Sequence, residues 1–311
     1  MNDKDKDPND DGAGPPRQAP LRILALILAL SPLTLNAQEA GSLRGLSLTA
    51  RVGALHPSNQ QANFYNGAPT NANTLLRILH SESFGHSIWN HLTEQDLIGS
   101  SVQNYNQITV AEYGDMYYRL AIQLGLGFRY DFYNSPWGWM MRFDYARLNA
   151  VGQVLLNSGK ETYLLTNQNR YVTCPISGQE ERIYIDFGLL RKFRMRGGYD
   201  LELAAGANLS NTKVQANDIQ IADVTYSILD IWNGHSPSSY TASYPYVNQG
   251  GLGYGTFATI SIGYTLPVGT ALMLQYSLHY LHTRLTGYSG YAPHHTLTLA
   301  VALNNFKLFD D

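Results

Sequence analysis

The chain has 311 residues and a formal net charge of −3, and only 14% of its residues are charged, against roughly 25% in an average soluble domain. Its mean hydropathy is nonetheless −0.22, and no stretch approaches the roughly 20 apolar residues of a membrane-spanning helix. These values argue against an ordinary soluble surface and against a helical membrane protein. The sequence contains no basic run, so nucleic acid is not expected as a partner.

Residues 1–37 are predicted to be a signal peptide rather than part of the fold. Arg17 and Arg22 precede a short apolar run at residues 23–30, and small or polar residues then lead to a cleavage site after Ala37. This order of basic, apolar and small residues is typical of an export signal, and the apolar run is too short for an anchor helix. Residues 38–311 are then predicted to form one domain.

Eight segments alternate apolar and polar residues with a period of two, which is the pattern of a β-strand with two different faces. In the second segment, Ile122, Leu124 and Leu126 share one face, whereas Gln123 and Arg129 lie on the other. Charges at strand centres would be costly in a soluble core, so the apolar face is predicted to contact lipid. The segments are residues 45–55, 117–131, 137–148, 182–194, 199–210, 257–266, 271–281 and 296–308.

The connections between these segments are alternately short and long. The short connections are residues 132–136, 195–198 and 267–269, and the long ones are residues 56–116, 149–181, 211–256 and 282–295. Asn, Pro and Gly in the short connections supply the backbone angles of tight hairpins. The rhythm predicts an all-β fold: a transmembrane antiparallel up-and-down β-barrel of eight strands with long extracellular loops and periplasmic termini. A strand hidden in the first or third long loop would raise the count to ten.

The predicted inner face carries nearly equal numbers of basic and acidic residues, as expected of paired buried charges. An eight-stranded barrel has an interior just wide enough for side chains. We therefore predict a lumen plugged by ion pairs, with a narrow polar pore as the alternative. The predicted lumen network consists of Arg51, Arg119, Arg129, Arg142, Asp144, Asp186, Lys192 and Glu202, with Asp131 as a further inward carboxylate.

The first long loop shows helical spacing at residues 73–79 and 86–98, with Ser83 as a helix N-cap. This predicts a small helical cap on the barrel mouth, with a mobile loop of fraying helices as the alternative. The third long loop combines tyrosines with Ser, Gly and Asn, a composition typical of adaptable contact surfaces. Its aromatic residues could instead belong to a membrane-interface girdle. The candidate contact residues are Trp89, Trp232, Tyr240, Tyr244 and Tyr246.

No cofactor or metal site is predicted. The single cysteine, Cys174, excludes an intramolecular disulfide, which leaves a free thiol or a bond to another chain. The histidines cluster late in the chain, but His294 and His295 are neighbours on a predicted strand and therefore point to opposite faces. The glycine-rich residues 250–255 precede a strand rather than a helix, so they do not predict a phosphate-binding loop.

Residues 278–297 resemble the tail of the outer-membrane lipid A deacylases, which are small barrels with a triad of His, Ser and an acidic residue near the outer end. The resemblance implies an acyl hydrolase as an alternative function. No serine follows two residues after His279 or His282, however, and Ser289 is predicted to lie in a loop. No carboxylate follows until Asp310. Acyl transfer needs a nucleophile, a base and an orienting group within reach of one another.

Strand count, turn rhythm and facing pattern together resemble the small OmpA/OmpX-type outer-membrane barrels, over residues 43–309. The resemblance implies the outer membrane of a Gram-negative bacterium and contact with its lipid, including lipopolysaccharide. This fold hosts structural, adhesive, receptor and enzymatic roles, so it does not choose among them. We expect a non-enzymatic structural or interaction protein that acts through its surface loops, as a subunit of a larger envelope complex for secretion or uptake.

Overall fold

The structure is a computed structural model that describes residues 45–160, 170–230, 249–266 and 270–304. The predicted signal peptide and the predicted turn at residues 267–269 lie outside the described residues. The same holds for four of the candidate contact residues, namely Trp232, Tyr240, Tyr244 and Tyr246.

Long antiparallel strands make up most of the described chain. The strands are β1 (Leu46–His56), β2 (Val110–Tyr113), β3 (Tyr117–Tyr118), β4 (Ala121–Asp131), β5 (Trp137–Asn157), β6 (Tyr171–Arg194), β7 (Tyr199–Ile221), β8 (Val224–Ser227), β9 (Gly250–Thr265), β10 (Thr270–Leu285) and β11 (Tyr288–Asn304). The helices are α1 (Asn59–Ala62), α2 (Leu76–Leu79) and α3 (Glu82–Glu94), with 3₁₀ turns at Asn63–Tyr65 and Tyr105–Gln107.

Eight of these strands close into a barrel, which confirms the predicted fold. The ring runs β1, β4, β5, β6, β7, β9, β10, β11 and back to β1, and every neighbouring pair is antiparallel. Closure between the first and last strands pairs Ser47 with Asn304 and His56 with His295. Within the described ranges, strands β2 and β3 pair with β5 alone, and β8 pairs with β7 alone. These short strands lie outside the ring, so they leave the barrel count at eight.

An apolar belt surrounds the barrel. Along β10, Leu272 and Leu274 are exposed whereas Met273 and Gln275 are buried, and the other barrel strands alternate in the same way. Aromatic side chains border this belt, with Trp137, Tyr199 and Tyr264 at one edge and Tyr254, Tyr280 and Tyr291 at the other. Such a belt between two aromatic girdles is the lipid-contacting surface of a transmembrane barrel. Within the described ranges, no helix has the length and apolar character needed to span a bilayer.

The two ends of the barrel differ. The end that carries the connections at residues 132–136 and 195–198 is called here the turn end, and the opposite end is called the cap end. At the cap end, β5, β6 and β7 continue well past the ends that the sequence predicted, to Asn157, Tyr171 and Ile221. Together with β2, β3 and β8 they form what we call the cap-end sheet. The second long loop is therefore much shorter than the predicted residues 149–181. The strands continue because the inward side chains of the cap-end sheet pack against the helical first loop.

The prediction of a fourth long loop at residues 282–295 is wrong. Strands β10 and β11 continue as one hairpin in which Leu285 pairs with Tyr288 across the two residues Thr286 and Gly287. Gly287 has a positive φ of 77°, a backbone conformation that glycine adopts without a steric penalty. Short and long connections therefore do not alternate along the whole chain.

The first long loop folds into a packed helical cap. Helix α3 buries Gly85, Ile88 and Leu92 at spacings of three and four residues, so one helical face contacts the protein. Its N-cap is Ser81 rather than the predicted Ser83, because the Ser81 side chain accepts a hydrogen bond from the Phe84 amide at 3.0 Å. The cap shares one hydrophobic cluster with the inner face of the cap-end sheet, including Phe64, Leu75, Leu79, Leu148, Cys174, Ile176 and Ile219.

Candidate functional site

Ion pairs cross the middle of the barrel lumen. The Arg51 guanidinium donates to both carboxylate oxygens of Asp144, at 2.8 and 3.1 Å, and both side chains are 2% exposed. On the neighbouring strands, Arg142 Nη2 lies 2.6 Å from Asp186 Oδ2. Burying a charge is tolerated only when it is paired and hydrogen-bonded. The alternating strands therefore bring opposite charges together inside the lumen.

Asp186 is the centre of this middle layer. Its carboxylate accepts hydrogen bonds from Arg142 and Asn208 and lies 3.1 Å from His279 Nε2. His279 is itself buried between the rings of Tyr184 and Phe257. His279 was not part of the lumen network predicted from the sequence, because its cross-barrel distance to Asp186 depends on how the strands close.

The remaining predicted lumen charges, except Arg119, lie toward the turn end. Arg129 pairs with Glu202 and, at 2.8 Å, with Asp131. Lys192 Nζ lies 2.8 Å from Asp200 Oδ2, and both of these side chains are partly exposed. The paired lumen charges are therefore more exposed toward the turn end than in the middle of the barrel.

Arg119 does not join the lumen network. Tyr118 and Ala121 both face inward, and the two residues between them, Arg119 and Leu120, are both exposed. The strand is interrupted at this point, so the period-two alternation shifts and Arg119 faces outward. When the alternation is continued across such an interruption, the residues on one side of it are assigned to the wrong face of the strand.

A second charged layer, which the sequence analysis missed, closes the lumen near the cap end. Arg182 Nη2 lies 2.5 Å from Glu180 Oε1, and both side chains are fully buried. Tyr65 of the cap and Tyr118 donate hydrogen bonds to the same carboxylate at 2.6 and 3.1 Å. Arg182 is the first residue of the predicted segment 182–194, and the inward alternation of β6 continues to Glu180, so extending that segment by two residues would have revealed the pair.

The two layers leave little free space between the barrel walls. A cavity of about 30 Å³ lies in the middle layer, lined by Arg51, Arg142, Thr259, Ser261 and Gln275 among others. This volume has room for a single water molecule or two but not for a solute. The described part of the barrel is therefore a side-chain-filled core.

Hydrogen bonds hold the cap on the barrel. Gln61 Nε2 donates to Thr283 Oγ1 at 2.9 Å, and the Met116 amide donates to Asn63 Oδ1 at 2.8 Å. Arg77 donates to the Ile228 carbonyl at 2.9 Å and pairs with Asp230. Burial, followed by the charge of Glu180, raises the pKa of the Tyr65 hydroxyl well above its usual value of 10.

Trp89 is the only candidate contact residue within the described ranges. Its indole nitrogen donates to the Val102 carbonyl at 3.2 Å, and its half-buried ring packs against the cap cluster. These contacts give Trp89 a place in the internal packing of the cap.

A concave site, which we call the lateral cleft, lies on the outward face of the cap-end sheet. It has a volume of about 500 Å³. The lining is polar and apolar in nearly equal parts and consists of Asp115, Tyr117, Arg119, Val151, Gly152, Gln153, Pro175, Ile176, Ser177, Asp218, Gln220 and Thr225. Its wall depends on Gly152, because a Cβ atom there would overlap the Met116 sulfur and approach the Asp115 carbonyl to 3.1 Å.

The strand pairing of β10 and β11 separates the late histidines into two groups. His279 and His294 are cross-strand partners that face the lumen, whereas His282 and His295 are on the outward side. His282 Nε2 lies 2.9 Å from Ser289 Oγ, between the rings of Tyr254 and Tyr291. Among the described residues, no group of three or more His, Cys, Asp or Glu side chains has a geometry suited to a metal ion.

Comparisons with known proteins give a likeness in structure alone. No protein-family model matches the chain, and no curated protein sequence matches it. Neisserial surface protein A is 9% identical, with a TM-score of 0.39 over 85% of this chain and 99% of that one. The attachment invasion locus protein Ail of Yersinia pestis is 11% identical, with a TM-score of 0.34 over 85% and 99%.

The outer membrane protease OmpT of Escherichia coli is 7% identical, with a TM-score of 0.33 over 87% of this chain and 100% of that one. These low identities and scores carry no conclusion about activity. The assignment to the outer-membrane barrels rests on this chain's own ring of eight strands and its apolar belt.

Proposed function

We propose that this protein is a non-enzymatic component of the outer membrane that acts through the part of the chain beyond the membrane. In this proposal the cap end faces the outside of the cell and the termini lie in the periplasm. The protein then serves as a structural or interaction subunit of a larger envelope complex for secretion or uptake. The observation that carries the proposal is a lumen filled by buried ion pairs beneath a packed cap.

The distribution of ordered structure supports this role. A filled eight-stranded barrel offers no route for a solute, so transport through it is not the function that the geometry favours. The chain instead builds helices and an extended sheet beyond the belt. Loops and extensions positioned by a rigid scaffold are the usual location of binding residues.

Affinity purification after gentle detergent extraction tests the proposal. A photo-reactive amino acid placed at Phe84, an exposed position on α3, should give a discrete cross-linked product with another envelope protein. The same probe at Tyr133, which is exposed at the turn end, is the matched control and should not give that product. Recovery of the barrel alone at native abundance, with no cross-link from either position, would refute membership in a complex.

A second candidate function rests on the contact between His282 and Ser289. Strand pairing brings Ser289 Oγ to 2.9 Å from His282 Nε2 at the membrane-facing edge of the cap end, although the sequence had placed this serine in a loop. A serine beside a histidine base is the start of an acyl-transfer site. No described carboxylate contacts His282, so the pair lacks the orienting group of a full triad.

Mass spectrometry of lipid A tests this second function. If the pair hydrolyses an acyl ester, lipid A from cells with the native chain should lack an acyl group that is kept in cells with Ser289→Ala. The matched control is Ser227→Ala, at an exposed serine on β8. Identical acylation in all three strains would remove the enzyme hypothesis.

A further inference from the structure

We propose that the lateral cleft binds carbohydrate, and that its occupant in the cell is the sugar chain of the glycolipid around the barrel. The inference rests on the orientation in the proposed function, with the cap end outside the cell, but it needs neither a protein partner nor an envelope complex. Four observations carry it: the size of the cleft, the chemistry of its lining, its unpaired charges and its height above the apolar belt.

The size and lining suit a short oligosaccharide. A volume of about 500 Å³ falls within the roughly 300–1,000 Å³ of typical small-molecule sites. Sugar hydroxyl groups both donate and accept hydrogen bonds. The Asp218 carboxylate can accept, the Arg119 guanidinium can donate, and the Gln153 amide can do both. The ring of Tyr117 is 52% exposed, so it offers a flat surface to the C–H face of a sugar ring.

The charged residues of the cleft are unpaired. Asp115, Arg119 and Asp218 make no side-chain hydrogen bond or ion pair with the described residues, whereas the lumen charges are paired. Three unpaired charges that converge on one concave site are available to a ligand. Their sum is negative, so a bare phosphate group fits this lining less well than uncharged hydroxyl groups.

The same lining is a poor match for a protein partner. The centres of protein interfaces are enriched in aromatic residues, Met and Arg and are depleted in Asp and Ser. The cleft presents two aspartates together with Ser177, and Tyr117 is its single aromatic side chain. A hydroxyl-rich ligand satisfies these groups, whereas an apolar anchor from a protein would leave them unpaired.

The position of the cleft identifies the source of the sugar. On the outward face of β6, the belt residue Ile183 is followed toward the cap end by Glu181, Gln179 and Ser177. At about 3.3 Å per residue, Ser177 lies roughly 20 Å along the strand from Ile183. A strand tilt of about 40° makes this roughly 15 Å in height. The cleft opens sideways at that height, where the sugars of the outer-leaflet glycolipid surround the barrel.

Binding of a labelled core oligosaccharide to the full-length barrel in nanodiscs tests the proposal. The probe is the fluorescent oligosaccharide released from rough lipopolysaccharide, and the measurement is fluorescence anisotropy. The double variant Asp218→Asn and Gln153→Ala should weaken binding at least about tenfold, and Arg119→Gln should weaken it as well. The matched control is Glu112→Gln, an exposed carboxylate on β2 outside the cleft, which should bind within about twofold of the native chain.

A second arm distinguishes the sugar from the lipid. Native barrels should retain rough lipopolysaccharide in preference to lipid A without core sugars, and the double variant should lose this preference. Unchanged binding in both cleft variants, or equal retention of the two glycolipids by the native chain, would overturn the proposal. A photo-reactive probe at Ser177 that captures a protein instead of glycolipid would also overturn it. Loss of sugar binding with unchanged recovery of protein partners would leave the proposed function intact.

Discussion

Arg142 on β5 and Asp186 on β6 are register partners whose side chains meet inside the barrel, with Nη2 and Oδ2 2.6 Å apart and neither side chain more than 2% exposed. Arg142 also donates to Thr259 on β9 and Ser277 on β10. One side chain thereby connects four barrel strands. Replacing Arg142 therefore tests whether these side chains keep the lumen filled.

Replacing Arg142 should open and destabilise the lumen. Arg142→Met leaves the Asp186 carboxylate without its arginine, and removing one partner of a buried pair typically costs about 3–5 kcal/mol. We expect a matching fall in the free energy of unfolding in urea. Single-channel recordings should show conductance steps in the variant and none in the native chain. Arg147→Met, at an outward arginine, is the control. Steady conductance by the native chain, unchanged in Arg142→Met, would instead support a narrow pore.

Tyr65→Phe should loosen the cap without unfolding the barrel. The substitution removes the 2.6 Å hydrogen bond to Glu180, and hydrogen bonds to charged groups contribute about 1.5–3 kcal/mol. Hydrogen exchange of the amides in residues 59–65 should accelerate, while exchange in β10 should stay unchanged. Tyr105→Phe is the matched control, because the Tyr105 hydroxyl makes no hydrogen bond with the described residues and its ring packs against His86. Equal acceleration in both variants would exclude a specific role for this bond.

Gly178→Ala should displace the cap. A Cβ atom at Gly178 would overlap the Tyr65 ring, which is fully buried and packed against Phe64. Overpacking a close-packed core typically costs about 1–3 kcal/mol. We expect faster cleavage within residues 59–94 by an added protease. At Gly263, the nearest atom to a new Cβ is the flexible Met273 Cγ at 3.1 Å, so Gly263→Ala should leave cleavage unchanged.

The Cys174 thiol should be unreactive while the protein is folded. Burial raises its pKa from 9.0 to about 12, so the reactive thiolate is scarce near neutral pH. Alkylation by iodoacetamide at pH 8 should be at least about a hundredfold slower than in the unfolded chain. Rapid alkylation of the folded barrel, or a disulfide to another chain, would contradict this prediction.

The raised pKa of Cys174 also gives a direction to the pH dependence of stability. A pKa that is higher in the folded state favours folding while the thiol is protonated, and this contribution is lost as the pH rises from about 9 to 12. The free energy of unfolding should therefore decline over that range, and the decline should be smaller in Cys174→Ala. The raised pKa of Tyr65 acts in the same direction.

Period-two alternation was sufficient to identify the barrel and most of its lumen charges. Each barrel strand has one face toward lipid and one toward the lumen, so Arg51, Asp144 and Asp186 could be assigned inward from parity alone. Assignment of faces by alternating position fails where a strand is interrupted, as it is at Arg119. Hairpin length also escaped prediction, since β10 and β11 continue through a region rich in polar residues that resembled a loop.

The sequence by itself determined the architecture, because alternation and turn residues are local properties that a single segment displays. Only the tertiary structure decided which inward charges meet, how Tyr65 reaches Glu180, and that Asp115, Arg119 and Asp218 share one cleft. These contacts join residues far apart in the chain, and the closure of the ring sets their distances. Strand patterns therefore predict the wall of a barrel, whereas its plug and its cleft depend on how the wall closes.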